Sequence, residues 1–375
     1  MHMDEKRSAL FTIIVIASVI VVFTVADLIE GDRLYSETEN RVLAARPKFT
    51  LEALLREDYT KKFETYLTDQ FVSRDKWVAI KTGMDLALQE KEIGGVYLGS
   101  DGYLIERHLP GDYSEVQESK KIALLEKLVW EWDAGVMLVP TADNILTDKL
   151  PKYAPYYDEK QLLDKVAAHV GEEHYVDVYS VLREHAQEEI YYRTDHHWTS
   201  LGAGYGYDAW AAYTGRRGGR YAAEDMELVA EGFLGTLQSK VNLDMAGDSI
   251  YYFPETLKRP LKVTYDLKEE ADSCYEPSHL ETKNKYGFFL DDNHAFVEIE
   301  TGYPNHHTLF VIKDSYADCF IPLLIPHYER IYVLDPRYFR GRLFEFMEEY
   351  EPAGGMDVLV LYNCIHFLEE FAYVE

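Results

Sequence analysis

An aspartate and a histidine two positions apart are the residues of this sequence best suited to proton transfer. They lie in Tyr191–Gly202, which reads YYRTDHHWTSLG and contains Asp195 and His197. In extended backbone two such side chains share a face, because side chains alternate along a strand. A carboxylate beside an imidazole holds one tautomer of the ring and stabilises the imidazolium that forms during proton transfer. The segment therefore predicts a general base with its orienting acid.

A second segment, Leu309–Phe320 (LFVIKDSYADCF), places a serine where an apolar run ends and a helix begins. A serine at the carboxyl edge of a strand points its hydroxyl into the crevice at the end of the sheet. The unpaired N–H groups of the following helical turn can receive an oxyanion. Because a serine needs an adjacent base to act as a nucleophile, Ser315 and His197 are predicted to meet in the folded chain.

Structural roles would account for the same residues without catalysis. Ser315 could only cap the helix that it begins, and Asp195 with His197 could be a structural hydrogen-bonded pair. Lys313 and Asp314 are expected to be surface or helix-start residues.

A metal site is a further alternative, because aspartate and histidine both bind metals. Asp195, His196 and His197 would be joined by a ligand from elsewhere, for which His306 or His307 is the candidate. Neither cluster has the HExxH spacing or a comparable one.

The elements around these motifs alternate between apolar runs and segments of helical periodicity. This alternation predicts an α/β fold whose mostly parallel sheet is covered on both faces. The predicted strands are Gly135–Val139, Tyr175–Val178, Thr308–Ile312, Ile331–Leu334 and Asp357–Leu361, and one predicted helix is Ser315–Ile325. Residues 218–303 break the pattern with short β-like runs and are interpreted as an insertion beside the site within a catalytic domain of residues 49–375.

The N-terminal segment Ala9–Val25 is apolar or small throughout and is followed by Ala26. It reaches the lower end of the length that spans a bilayer and exceeds the usual core of a cleaved signal peptide. Lys6 and Arg7 precede it and acidic residues follow it, so the positive-inside rule places the rest of the chain outside the cell. Residues 1–30 are thus predicted to be a cytoplasmic tip and transmembrane anchor, and residues 31–48 a juxtamembrane linker.

Composition narrows the function classes further. The formal net charge of −28 opposes binding to the phosphates of nucleic acids and to anionic lipid headgroups. The 47% hydrophobic content is that of a folded chain. The three cysteines form no CxxC pair or metal-like spacing, and their odd number leaves at least one thiol free.

Taken together, the motifs resemble a known family. TDHHWTSLGA, residues 194–203, is similar to the signature of the DHHW family of bacterial extracytoplasmic proteins, which in turn resembles the SGNH-like O-acetyltransferases of alginate acetylation. Further similar elements are Glu39-Asn40-Arg41 with Pro47, Asp69-Gln70-Phe71 with Arg74, Val96–Leu104, Val139-Pro140-Thr141 and the serine block IKDSYA.

The resemblance implies an SGNH-hydrolase-like three-layer α/β fold with Asp195, His197 and Ser315 as a catalytic triad. The order of the three along the chain differs from that of ordinary SGNH hydrolases, and Lys313 replaces the glycine of their GDS block. The Ser315 N–H is the first candidate for binding the oxyanion. Other candidate oxyanion or substrate-binding residues are Thr141, Asn144, His196, Trp198, Tyr316 and Asn363.

The same resemblance implies acyl transfer, most simply acetyl transfer, to a cell-surface or secreted polysaccharide. No cofactor is implied, and a membrane-bound O-acyltransferase is the implied acyl donor. A carbohydrate O-acetyl esterase would use the same triad with water as the acceptor. A metal-dependent hydrolase and a non-catalytic polysaccharide-binding scaffold are the alternatives from other classes.

Overall fold

The computed structural model describes residues 2–36, 38, 41–56, 58–216, 221–254 and 258–374. The chain forms two compact units, Met1–Glu90 and Lys91–Glu375. Glu39 and Asn40 of the motif near the N-terminus lie outside the described residues, as does the start of the 218–303 segment.

Within the described residues, the first unit consists of helices and one short strand pair joined by loops. Residues 7–30 of its first helix are long and apolar enough to cross a membrane, judged by length and composition. Its elements are α1 (His2–Glu30), β1 (Tyr35–Ser36), β2 (Arg41–Val42), α2 (Leu51–Leu55), α3 (Asp58–Gln70) and α4 (Arg74–Ala87).

Buried polar contacts fasten the segment after α1 to the end of α3. Arg41 donates two hydrogen bonds to the Asp69 carboxylate, at 2.8 and 2.6 Å, and the Ala44 N–H donates a third. The hydrogen bonds from Arg41 lower the pKa of Asp69 despite the opposing effect of burial. Gln70 donates to the carbonyl oxygens of Arg33 and Ala44. The Asp-Gln pair of the motif is therefore a structural clamp.

The second unit is a mixed α/β structure. Its elements are β3 (Glu92–Ile93), β4 (Val96–Leu98), β5 (Leu104–Glu106), α5 (Glu115–Trp132), β6 (Gly135–Val139), α6 (Ala142–Ile145), α7 (Glu159–Val170), α8 (Val178–Glu184), α9 (Ser200–Thr214), β7 (Glu227–Phe233), α10 (Thr236–Val241), β8 (Asp248–Tyr252), β9 (Lys262–Tyr265), β10 (Glu269–Ala271), β11 (Phe296–Glu300), β12 (Thr308–Lys313), α11 (Ile321–Leu324), β13 (Arg330–Leu334), α12 (Leu343–Tyr350), β14 (Asp357–Asn363) and α13 (Cys364–Glu369).

A central sheet with strand order β10-β9-β11-β13-β12-β14-β6 organises this unit. The strands β13, β12, β14 and β6 are parallel neighbours, whereas β11, β9 and β10 extend the sheet through antiparallel pairs. The prediction that Gly135–Val139, Thr308–Ile312 and Asp357–Leu361 are strands of one mostly parallel sheet is confirmed.

Alternating side chains of the parallel strands form two separate cores, one on each face of the sheet. In β12, Leu309 and Val311 join the core that contains Trp198 and Tyr316, and Phe310 and Ile312 join the opposite core. Because side chains alternate in a strand, an uninterrupted apolar run of this kind is buried on both faces. These cores hold the ends of the strands, and hence the residues that follow them, in fixed positions.

Two predicted elements differ in the structure. Tyr175 makes only an isolated bridge to Val136, and Val178 already begins α8. The predicted helix over Ser315–Ile325 is broken into a 3-10 turn at Ser315–Ala317, the short α11, and another 3-10 turn at Ile325–His327. Pro322 and Pro326 lack the N–H groups that a continuous helix requires.

Lys313 is buried, so its expected surface position is wrong. It ends β12 in the middle of the sheet and is 1% exposed. Its ammonium group lies 2.6 Å from Asp318 and 3.7 Å from Asp335. Burial alone would lower the pKa of Lys313, but these carboxylates raise it, so the lysine is charged. This buried ion pair spans the turn that contains Ser315.

Candidate active site

Three parallel strands end at the same edge of the sheet and direct their following residues toward one another. Lys313 pairs with Leu361 across β12 and β14, and Asn363 pairs with Val139 across β14 and β6. Ser315 follows β12 and opens a 3-10 turn instead of continuing the strand. This edge is where open α/β sheets place their ligands.

The structure brings Ser315, His197 and Asp195 into one hydrogen-bonded chain. Ser315 Oγ lies 2.8 Å from His197 Nε2, and His197 Nδ1 lies 2.5 Å from Asp195 Oδ1. The three residues are 6%, 5% and 4% exposed. With its Nδ1 proton donated to Asp195, the imidazole presents Nε2 as the acceptor for the Ser315 proton.

Asp195 is fixed by donors from three directions. Its Oδ2 accepts hydrogen bonds from the Thr236 N–H at 2.8 Å and the Thr236 hydroxyl at 3.0 Å, and its Oδ1 accepts one from the His197 N–H at 3.1 Å. A Cβ atom on Gly235 would lie 2.3 Å from the Asp195 Cβ, so a side chain there would displace the carboxylate. Burial would raise the pKa of Asp195, but His196, His197 and the hydrogen bonds hold it far below its usual range. Asp195 is therefore ionised.

A tyrosine ring packs against the His197 imidazole. The Tyr286 ring stacks on the His197 ring with centroids 3.9 Å apart, and its hydroxyl donates to the Ser315 carbonyl at 3.0 Å. Both Tyr286 and Thr236 belong to the 218–303 segment. That segment thus contributes β9, β10 and β11 to the sheet, and its Thr236 and Tyr286 contact the candidate site.

A second aspartate–histidine pair flanks the serine and was missed in the sequence. Asp314, expected at the surface or a helix start, is fully buried; it does cap the turn, since its Oδ1 accepts from the Tyr316 N–H. Its Oδ2 accepts from the Asn363 N–H at 3.0 Å and from His366 Nδ1 at 2.7 Å. Burial opposes ionisation of Asp314, yet its bond to His366 lowers the pKa to about 2. The pairing fixes the His366 ring.

Next to the triad lies a cavity of about 260 Å³ that His196 and His366 both line. Burial and the neighbouring His197 lower the pKa of His196 to about 3, so its ring is neutral. The remaining lining residues are mostly acidic, aromatic or polar: Glu106, Arg107, His108, Asp112, Tyr113, Thr141, Ala142, Asp143, Leu237, Tyr316, Asn363, Ile365 and Glu369. Such a lining offers many hydrogen-bond donors and acceptors to a polar ligand.

Four of the six additional predicted residues line the cavity, and Trp198 and Asn144 do not. Thr141, His196, Tyr316 and Asn363 line the cavity. Trp198 is fully buried and donates from its indole nitrogen to the Tyr316 carbonyl, so it stabilises the 3-10 turn that contains Ser315.

Asn144, the remaining one, has its amide group engaged inside the protein. It donates to Asp143 at 2.9 Å and to the Tyr157 carbonyl at 3.0 Å, and its Oδ1 accepts from the Glu159 N–H. The Tyr316 N–H is likewise taken by Asp314. The Asn363 amide is engaged as well, since its Nδ2 donates to the Val139 carbonyl and its Oδ1 accepts from the Ile365 and His366 N–H groups. The Ser315 N–H therefore stays the first candidate for binding an oxyanion.

His108 and Asp143 form a buried ion pair on the cavity wall, 3.2 Å apart. Burial would lower the pKa of His108, but the hydrogen bond and charge of Asp143 raise it to about 9. The unfolded chain has the ordinary histidine pKa of about 6.5. The pair therefore stabilises the fold fully below about pH 6.5 and loses this contribution as the pH rises through about 9.

We expect His108→Gln to reduce the free energy of unfolding by on the order of 3 kcal/mol more at about pH 6 than at about pH 10. Urea unfolding of the variant and the unmodified protein at both pH values measures this difference. His169→Gln is the matched control, because the His169–Glu126 pair is half exposed. Equal losses at both pH values for His108→Gln would show that the ion pair contributes nothing specific.

The metal alternative is only partly compatible with the fold. His306 and His307 precede β12, whereas Ser315 follows it, and a six-residue strand separates its ends by roughly 20 Å. The His306 side chain is also exposed and paired with Glu329. These histidines therefore cannot join Asp195 and His197 around one ion.

Among the residues that the structure describes, two groups have ligand atoms within 4.8 Å of one another: Asp195, His196 and His197, and His108, Asp143 and Glu159. In the first group Asp195 hydrogen-bonds to His197, His197 hydrogen-bonds to Ser315, and His196 Nδ1 hydrogen-bonds to the Thr236 hydroxyl. A metal there would have to replace the serine–histidine contact.

Comparison with known proteins places the chain in a family. The profile of the DHHW protein family matches residues 129–334, more than half of the chain. No curated protein sequence matches it.

Solved structures resemble it over about three quarters of its length. A DHHW family protein from Eubacterium siraeum is 24% identical, with a TM-score of 0.61, over 74% of this chain and 93% of that one. PatB1 from Bacillus cereus, in a structure with a sulfonyl adduct, is 18% identical with a TM-score of 0.58, over 74% and 98% of the two chains. The O-acetyltransferase domain of AlgJ from Pseudomonas putida is 15% identical with a TM-score of 0.45, over 74% and 94%. The first two likenesses establish a shared fold, and the profile match over residues 129–334 shows that the chain belongs to the DHHW family.

Proposed function

We propose that this protein is an extracytoplasmic O-acyltransferase, most simply an O-acetyltransferase, of SGNH-hydrolase-like fold. Ser315 is the nucleophile, His197 the general base and Asp195 the residue that orients the base. The observation that carries the proposal is the buried chain Ser315 Oγ–His197 Nε2 and His197 Nδ1–Asp195 Oδ1, at 2.8 and 2.5 Å. Those distances are within the range for a nucleophile activated by an adjacent base.

In the first half-reaction Ser315 Oγ attacks the carbonyl carbon of the acyl donor while its proton passes to His197 Nε2. The carbonyl oxygen becomes an oxyanion, which the Ser315 N–H at the start of the 3-10 turn can bind. The intermediate then expels the leaving group, which takes the proton from His197. The product is an ester between the acyl group and Ser315 Oγ.

In the second half-reaction an acceptor hydroxyl gives its proton to His197 Nε2 and attacks the ester carbon. Ser315 leaves and recovers its proton from His197, and the acyl group is now bound to the acceptor. A sugar hydroxyl as acceptor gives transfer, and water gives hydrolysis. The cavity lined by His196, His366 and several carboxylates supports a polyhydroxylated acceptor, since these groups hydrogen-bond to hydroxyls.

The N-terminal helix supports a location at the outer face of a membrane. Residues 7–30 have the length and hydropathy of a span, and Arg7 precedes the apolar run. Outside the cell there is no soluble acyl-coenzyme pool, so we propose a membrane-bound O-acyltransferase as the donor and a cell-surface or secreted polysaccharide as the acceptor.

A covalent-intermediate experiment tests the proposal. The full-length protein is incubated with nitrophenyl acetate, quenched in acid and digested for peptide mass spectrometry. We expect one acetyl group on the peptide that contains Ser315, and prior treatment with a sulfonyl fluoride should block it at the same residue. Adding an oligosaccharide acceptor should convert the product from free acetate to acetylated sugar. Turnover without acetylation of Ser315 that a chelator abolishes would overturn the serine mechanism in favour of a metal.

A further inference from the structure

The first unit presents an apolar helix face that its own fold leaves uncovered. Along α4 and its C-cap residue Leu88, the side chains of Trp77, Ile80, Met84 and Leu88 recur at helical spacing and are 45%, 53%, 62% and 72% exposed. Residues three, four and seven apart share one face of a helix, so these four form a continuous stripe about three turns long. We call it the α4 apolar face. Soluble surfaces rarely expose so many large apolar side chains in one row.

Aromatic contacts set the position of the α4 apolar face along the axis of α1. The Phe23 ring of α1 lies 5.7 Å from the Phe71 ring and 5.7 Å from the Trp77 ring. Asp27, just beyond the apolar run of α1, accepts a hydrogen bond from the Val72 N–H at 3.0 Å. Phe23 precedes Ala26, the last apolar residue of the run, by three residues, or roughly 4.5 Å along the helix. The start of α4 is thus level with the end of the apolar run.

The charged residues of α2, α3 and α4 are consistent with a position at the membrane surface. Residues 46–81 contain eight lysines and arginines against six acidic residues, in a chain whose net charge is −28. Arg74 and Lys81 also line the groove between α3 and α4, together with Phe63, Leu67 and Phe71. Basic groups beside exposed aromatic and aliphatic side chains are the composition of a helix at the interface with anionic lipid.

We infer that the α4 apolar face lies in the outer leaflet of the membrane that carries α1. Trp77, Ile80, Met84 and Leu88 enter the boundary between headgroups and acyl chains, and Arg74 and Lys81 meet the lipid phosphates. This inference rests on the part of the proposed function that makes α1 a transmembrane anchor. The protein is then held at the surface by two elements, a span and an interfacial helix, and the first unit is fixed at the membrane.

A site-specific fluorescence experiment tests this placement in the full-length protein. The native cysteines Cys274, Cys319 and Cys364 are buried, so a thiol introduced at the surface can be labelled selectively. Ile80→Cys carries an environment-sensitive dye in vesicles of phosphatidylcholine and phosphatidylglycerol. Ala79→Cys is the matched control, because Ala79 is exposed on α4 but about 100° around the helix from Ile80.

We expect the dye at position 80 to be quenched by lipids with a spin label in the acyl chain and protected from aqueous iodide, and the dye at position 79 to show the reverse. Equal iodide quenching at both positions would overturn the inference. The inference would also be overturned if position 80 were protected in native membranes but not in vesicles that contain no other protein. The α4 apolar face would then be covered by a membrane protein and not by lipid.

A dye at Ile13→Cys on α1 separates this inference from the proposed anchor. If position 13 is protected by lipid and position 80 is not, only the interfacial helix is wrong. If position 13 is itself open to iodide, the anchor fails and the interfacial placement fails with it. Esterase activity toward nitrophenyl acetate, measured on the same samples, reports on the triad independently of either result.

Discussion

Ser315→Ala should abolish acetyl-enzyme formation and reduce turnover of nitrophenyl acetate by on the order of 10³-fold or more. In the proposed mechanism the substitution removes the atom that accepts the acyl group, and it leaves His197 and Asp195 paired. His197→Ala should cost about as much, because it removes the base that contacts the Ser315 hydroxyl. Steady-state kinetics and acid-quenched mass spectrometry measure the two losses.

The double variant carries the stronger test. Residues that act as one unit give non-additive losses, so Ser315→Ala with His197→Ala should be no slower than either single variant. Losses that multiply in the double variant would show that the two residues contribute independently. Ser200→Ala is the control. The buried Ser200 hydroxyl is three residues from His197 in sequence, but it donates to the Tyr251 carbonyl at 2.6 Å and not to the triad. It should retain turnover within about tenfold.

The parts of this site that the sequence predicts are those carried by local pattern. An apolar run followed by Lys-Asp-Ser indicates a strand that ends in a turn, and DHHW places a carboxylate two residues from an imidazole. The structure adds the parallel register of β12, β14 and β6, which places the serine at the edge of the sheet where ligands bind.

The contacts that support the triad could not be predicted because their partners are distant in sequence. Thr236 and Tyr286 come from a segment with no clear periodicity, yet they hold Asp195 and His197. Asp314 was expected at the surface or at a helix start because it is charged and begins a turn. Its burial follows from a histidine 52 positions later that supplies the compensating hydrogen bond.

Asp195→Asn should lower turnover by about 10³- to 10⁴-fold without removing the nucleophile. The hydrogen bonds of the carboxylate explain the size of the effect. Oδ2 accepts from the Thr236 N–H at 2.8 Å, and Oδ1 accepts from His197 Nδ1 and from the His197 N–H. An asparagine has only one side-chain oxygen, so it can accept either from Thr236 or from His197 but not from both. If it faces Thr236, its NH₂ group faces Nδ1 and favours the tautomer with the proton on Nε2.

That tautomer cannot accept the Ser315 proton, so the acetyl-enzyme should still form on Ser315 but far more slowly. Rapid-quench measurement of the acetylation rate separates this result from loss of the nucleophile. Thr236→Val is the matched control, because it removes the 3.0 Å hydroxyl bond to Oδ2 and keeps the N–H donor. We expect a loss of about tenfold or less from that single hydrogen bond. If Asp195→Asn were as active as Thr236→Val, Asp195 would be a structural residue, and His197 would reach its working tautomer without it.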